Sequence, residues 1–278
     1  MNARGKPESS QSRGDVMQTA IQCQKPLPSI EHRSRSTGIV AQEIVETLRA
    51  RPHFVVLSDI AATEDPSVVR KLVQAIASLP AGRPALQLAR SPRITCDRVE
   101  FDPLATLVEA ERTNYSRTRK AMALHTDGSF AQTPPDLVAF QMVRCAAKGG
   151  ESVIVSIEDV IAGLDEATRA TLSQPMFPFS ARRHSVLWRT QGHYNIRCYK
   201  NQIDVSSERK QPLEPAASLA IAALDAALAD PNRQYRIRLE PGEILFLHNT
   251  RALHGRTAFD ADCSRLMLRV RAHASCLV

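Results

Sequence analysis

Residues 235–272 read YRIRLEPGEILFLHNTRALHGRTAFDADCSRLMLRVRA, and this stretch decides the fold. It opens with an alternating run, breaks at Pro241-Gly242, resumes as a continuous apolar run, and ends in RLMLRVRA, where apolar and cationic residues alternate. Period-two alternation is the mark of a half-buried strand, and Pro-Gly is a turn, so the stretch reads as strand, turn, strand and a final strand. Working outward, PDLVAFQMVRCA (135–146), GGESVIVSI (149–157) and HFVVLSDI (53–60) read as further strands, and HYNIRCYKNQIDV (193–205) as a hairpin. Helical periodicity marks IVAQEIVETLRARP (39–52), DPSVVRKLVQAIASLP (65–80) with Asp65 as cap, SIEDVIAGLDEATRATLSQ (156–174) with Ser156 as N-cap, and the Ala-rich EPAASLAIAALDAALADP (214–231). Short strands dominate the C-terminal half, with helices inserted between them. The fold class expected is mainly β with helical decoration, a double-stranded β-helix or jelly roll, rather than a doubly wound α/β sheet.

Three residues in this frame carry metal-binding chemistry. His125 and Asp127 stand two apart in ALHTDGSF, and His254 stands in LHNTRALHGRTAF. On a strand, residues two apart share a face, so His125 and Asp127 can address one ion, with His254 reaching it from a distant strand. Two imidazoles and one carboxylate are the facial triad that holds non-haem Fe(II) with open positions. Eleven residues after His254 comes Arg265. A fixed cation beside an open iron site suits a dicarboxylate co-substrate such as 2-oxoglutarate.

The segments LHTDGSFAQTPPDLVAFQMVRCAAKGGES and LEPGEILFLHNTRALHGRTAFDADCSRLMLRVRA, within roughly 120–155 and 237–272, resemble the taurine dioxygenase/TfdA-like branch of the Fe(II)/2-oxoglutarate oxygenases, which includes clavaminate synthase-like enzymes. A weaker resemblance extends from about residue 38. The resemblance implies that His125, Asp127 and His254 bind iron and that Arg265 grips the distal carboxylate of 2-oxoglutarate. Ser152 falls where the family commonly places a Thr hydroxyl on the same co-substrate. Arg269, four residues past Arg265 and on the same strand face, matches a position that contacts an anionic substrate group. Arg197 is a further candidate substrate contact, in a loop-rich segment (174–215) read as a lid. Halogenating relatives replace the carboxylate at position 127, so Asp127 implies hydroxylation, desaturation or ring closure, with O2 consumed and succinate and CO2 released. His248 stands where many relatives carry Asp, and a supporting role is expected of it. Two other readings stay open: a non-catalytic binding protein that retains the fold, and a non-haem iron enzyme that does not use 2-oxoglutarate.

Composition narrows the classes. At 278 residues and 43% hydrophobic, the chain can bury a sizeable core. Residues 1–37 lack hydrophobic periodicity and hold six Lys/Arg against three Asp/Glu, so they read as a disordered tail before a single domain over 38–278. The chain has no run of about 20 apolar residues and no N-terminal apolar h-region, so neither a membrane span nor a secretory signal is expected. The six cysteines include no C-x-x-C pair, which suits reduced thiols in a cytoplasmic protein. A net charge of +7 can draw in anionic small molecules, whereas 5% aromatic content argues against nucleic-acid binding. A small-molecule substrate is expected, and self-association is left open.

Overall fold

The computed structural model describes residues 26–81, 94–106, 115–179, 182–209, 212–260 and 264–278, with the side chains of 208 and 209 excepted. Two sheets face each other. The larger is ordered β1 (Ser29–Glu31), β2 (Phe54–Ser58), β12 (Ile244–His248), β5 (Leu137–Arg144), β14 (Leu266–Ala272), β3 (Thr95–Glu100). The smaller is ordered β11 (Tyr235–Ile237), β6 (Ser152–Ser156), β13 (Ala252–Arg256), β4 (Met122–His125). Neighbours within each sheet are antiparallel, except that β1 runs parallel to β2. This is the jelly roll that the alternating segments predict.

Period-two alternation sorts each strand's residues between layers. In β12, Ile244 and Phe246 pack outward beneath helices α1 (Thr37–Arg49) and α2 (Ser67–Ala77), while Leu245 and Leu247 point into the space between the sheets with Phe54, Met142, Ile154, Ala252 and Met267. In β13, Leu253 turns to an outer core built with α3 (Ile157–Ala162), α4 (Glu166–Leu172) and α6 (Pro215–Ala229). Ala252 of the same strand faces inward, and so must His254, two residues on. In β14, Val270 and Ala272 join the outer core, so the inward register runs through Arg265, Met267, Arg269 and Arg271.

Several local readings are corrected. The helix expected over 156–174 is two helices: Ser156 caps α3 by accepting from Glu158 N, and Asp165 opens α4 by accepting from Thr168 N at 2.7 Å. Asp65 acts one position early, since Pro66 is the cap residue of α2 and Asp65 Oδ1 accepts from Ser67 N at 3.0 Å. The hairpin lies upstream of the expected place, pairing β9 (Leu187–Thr190) with β10 (His193–Ile196). Gln191 and Gly192, both at positive φ, make its two-residue turn. The KNQIDV end of the expected hairpin is instead helix α5 (Lys200–Arg209), held by a Lys200–Asp204 ion pair one turn apart and by buried Ile203. A second hairpin joins β7 (Phe177–Phe179) to β8 (Arg182–His184). The expected tail contains β1, whose Ile30 packs into the outer core; residues 1–25 lie outside the described residues. No helix among the described residues is long and apolar enough to cross a membrane.

Candidate active site

The predicted ligands meet between the sheets. Strand β4 ends at His125, directly opposite His254 of β13 in the antiparallel register. The ladder slips by one residue between His254 and Arg256, a bulge that bends β4 beside the site. Gly255 permits this approach, because a Cβ there would lie 2.6 Å from the Met122 carbonyl oxygen. Asp127 stands in the turn after β4 rather than on the strand itself, so the two-apart spacing works through a strand end and a turn.

That turn is clamped from the other half of the motif. The Asn249 side chain accepts from Asp127 N at 2.9 Å and donates to the Asp127 and Pro135 carbonyls at 2.9 and 2.8 Å. Thr126 N donates to the Cys198 carbonyl at 2.7 Å. His125, Asp127 and His254 offer ligand atoms that all lie within 4.8 Å of one another, and all three residues are buried. His125 Nδ1 lies 2.9 Å from the Ala123 carbonyl, which can only accept, so Nδ1 carries a proton and Nε2 is the nitrogen turned to the site. Nε2 faces Asp127 Oδ1 at 3.3 Å, and His254 Nε2 lies 3.8 Å from the same oxygen. His125 Nε2, both His254 ring nitrogens and Asp127 Oδ2 are buried without a hydrogen-bond partner.

Electrostatics prepares the same atoms. Burial, with His125 and Arg269 nearby, pushes the His254 imidazole down to about 3, so it is neutral at pH 7. Burial alone would raise the Asp127 carboxyl, but the Arg269 guanidinium and the two histidines outweigh it and hold it well below the usual carboxylate range. Metal ligands must be neutral imidazoles and ionised carboxylates, so this donor set fits a divalent iron.

The cleft around the ligands encloses about 480 Å3, its open mouth included. His125, His254, Ser152, Arg265, Arg269, Phe140 and Met122 all line it. Arg265 is 4% exposed, its guanidinium beside the Met267 sulfur and 5.5 Å from the Phe259 ring centre. Gly150, at φ +75°, leaves space for it, since a Cβ there would meet Arg265 Nε at 3.2 Å. Arg269 donates to Asp127 Oδ1 at 3.3 Å and to Asp97 Oδ2 at 3.4 Å, and Arg271 also pairs with Asp97. Arg197 is not among the cleft-lining residues; it lies buried between Phe179 and Trp188, with Nη2 donating to the Gln132 carbonyl at 2.9 Å. His248 docks the C-terminal turn, its Nε2 lying 2.9 Å from the Leu277 carbonyl. Sequence reasoning missed Asn249, Asp97 and Arg271. Asn249 had a local signal, standing next to His248 in the segment that carries His254, whereas Asp97 had none.

A jelly roll whose inner face presents two imidazoles, one carboxylate and a buried arginine carries the donor set of the non-haem iron oxygenase class. The family model for the taurine catabolism dioxygenase TauD, TfdA family matches residues 36–271, and the chain belongs to that family. Among solved structures, it is similar to asparagine oxygenase in complex with Fe(II), 2S,3S-3-hydroxyasparagine and succinate, with TM-score 0.62 and 17% identity over 85% of this chain and 79% of that one. The non-haem iron oxygenase OrfP in complex with Fe and alpha-ketoglutaric acid matches with TM-score 0.60 and 15% identity over 85% of this chain and 80% of that one. The dioxygenase str8 of Strobilurus tenacellus is 24% identical over an alignment 164 residues long that covers 53% of this chain and 37% of that protein. The match thus spans little more than a third of that curated relative's length.

Proposed function

We propose that this protein is an Fe(II)- and 2-oxoglutarate-dependent oxygenase that hydroxylates a small amino-acid-like molecule. The observation that carries the reading is a cluster of three buried side chains with unpartnered ligand atoms, two of which line one cleft with a buried arginine. His125, Asp127 and His254 would hold the iron. The Arg265 guanidinium would grip the remote carboxylate of 2-oxoglutarate through paired N–H donors, and the Ser152 hydroxyl would support it. Iron so held would, with 2-oxoglutarate and O2, supply a two-electron oxidation of the substrate: one oxygen atom would be inserted into a C–H bond and the other would leave in succinate, with CO2 released.

The chain's own task is to place the target C–H bond and keep water away. Val99, Phe140, Leu245 and Met267 give the cleft an apolar lining. Arg269 and Asp97 lie side by side, so a substrate carboxylate can pair with Arg269 while Asp97 accepts its ammonium group. The molecules named in complex with two structural relatives, 2S,3S-3-hydroxyasparagine and (3S)-hydroxy-L-Arg, support an amino acid as the class.

The test is succinate release from 2-oxoglutarate with Fe(II) and ascorbate, against a panel of free amino acids and their N-acetylated forms. Mass spectrometry checks each for the gain of one oxygen atom. The reading expects oxygen insertion into a free amino acid and its loss on N-acetylation. It fails if no 2-oxoglutarate is consumed with any acid.

A further inference from the structure

A second cationic cluster lies outside the cleft, in the hairpins of residues 177–197. Arg197 is 5% exposed. One of its nitrogens is bonded to Gln132, but Nε and Nη1 are buried with no partner. Its guanidinium carbon lies 5.8 Å from the Phe179 ring centre and 5.9 Å from that of Trp188, at the outer limit of cation–π attraction. Leaving donors of a buried cation unmet is costly, so native proteins normally pair them. His184, on the same hairpin as Phe179, has its Nε2 buried and unpartnered. Burial, then Arg197 and Arg182, hold its imidazole below the usual histidine range, so it is neutral. Arg182 donates to Gln132 Oε1 at 2.7 Å, so the two arginines grip one glutamine from two sides. Among the described residues neither arginine has a carboxylate partner.

The position links the cluster to the iron ligands. Gln132 lies in the loop that follows Asp127, and Cys198, next to Arg197, accepts through its carbonyl from Thr126, between the two ligands of the H-x-D motif. The ring of Tyr199, on the other side of Cys198, stands 5.4 Å from that of His125. The segment that carries Arg197, just past the end of β10, therefore runs along the flank of the metal loop.

We propose that Arg197, Arg182 and His184 form an oxyanion site that takes a second anionic group, at the far end of the primary substrate. Its chemistry suits a carboxylate or a phosphate equally, since the arginine fork pairs with both. The substrate would then be an acidic amino acid or a phosphorylated one. The assignment to substrate rests on the oxygenase reading; the anion site does not.

Two measurements test it on the full chain. First, inorganic phosphate and malonate are titrated separately into the wild-type protein while the His184 ring is followed by NMR, its resonance assigned with His184→Gln. A bound anion favours the imidazolium, so the His184 midpoint rises by roughly one unit. Arg197→Met weakens anion binding by about tenfold or more, and Arg197→Lys, which keeps the charge without the fork, falls between. No perturbation of His184 by either anion in the wild type overturns the site, whether or not the variants fold. So does equal binding by Arg197→Met. Second, succinate release is compared for amino acids with a neutral, a carboxylate and a phosphate end. Preference for one acidic end, lost in Arg197→Met, supports the assignment and names the anion. Equal turnover of neutral-ended substrates overturns the assignment to substrate. Anion binding without any turnover supports the site and removes the oxygenase reading instead.

Discussion

The two sheets meet across the cleft with opposite electrical states. The smaller sheet brings His125 and His254, whose ring nitrogens facing the site have no partner. The larger brings Arg269 and Arg271, whose charges are already answered by Asp127 and Asp97. One wall is incomplete without an ion. The other is balanced and can exchange one carboxylate for another. Losses on the first wall should therefore be absolute and losses on the second graded.

The largest effect expected is on the first wall. His125→Ala, Asp127→Ala and His254→Ala each remove one of three ligands and take 2-oxoglutarate turnover to background. Wild-type turnover in the purified His125→Ala/His254→Ala double variant would show that the metal lies elsewhere. The second wall should divide its labour. Arg265→Ala raises the KM for 2-oxoglutarate roughly 10- to 100-fold, the cost of a lost charge-assisted pair. Arg269→Ala should instead act on the primary substrate, with the 2-oxoglutarate KM moving much less. Steady-state kinetics with each varied in turn decides, and the reverse pattern would exchange the two roles. A smaller effect is expected between the walls. Asn249→Ala frees the turn that carries Asp127, and iron affinity falls by about tenfold or more, as measured by ferrous ion titration. Unchanged affinity would reduce Asn249 to a residue needed only for folding.

The smallest effect on turnover lies away from both walls, where the change is in stability. Burial pushes His248 down to about 4, below its unfolded value of about 6.5. The unfolded chain therefore binds the proton more readily, and stability present above pH 6.5 is lost as pH falls towards 4, by about 3 kcal/mol. His248→Gln should flatten that slope in urea unfolding measured at pH 7 and pH 4.5, and a slope equal to wild type would place the acid sensitivity in other groups.

What the sequence disclosed followed from how local each signal is. Apolar runs disclosed β5 and β12, period-two alternation disclosed β14, and its strand register then carried Arg265 and Arg269 to one face. His125, Asp127 and His254 were legible because few side chains bind iron and their spacing limits the geometry. Three-residue β1 was too short to show a period and fell into the expected tail. The 193–205 segment read as a hairpin because its polar and aromatic residues carry no clear period, and the turn that counts, Gln191-Gly192, lies just upstream of it. Asp97 could not be read at all, since its partner Arg269 is 172 positions away. Arg197 was picked out as a cation in a loop-rich segment read as a lid, but only packing reveals that it lies between aromatic rings outside the cleft.

The pairing of His254 with His125 across a backbone ladder has one more consequence. In a small zinc-dependent fold the ion organises the chain, and removing it dissolves the structure. Here the two imidazoles are indexed by strand register and the carboxylate turn is tied down by Asn249, so the ligand geometry is set by backbone pairing and an amide clamp. Such a centre can be emptied by a chelator and refilled as a chemical equilibrium of a standing protein, and iron supply rather than chain folding would govern how many molecules are active.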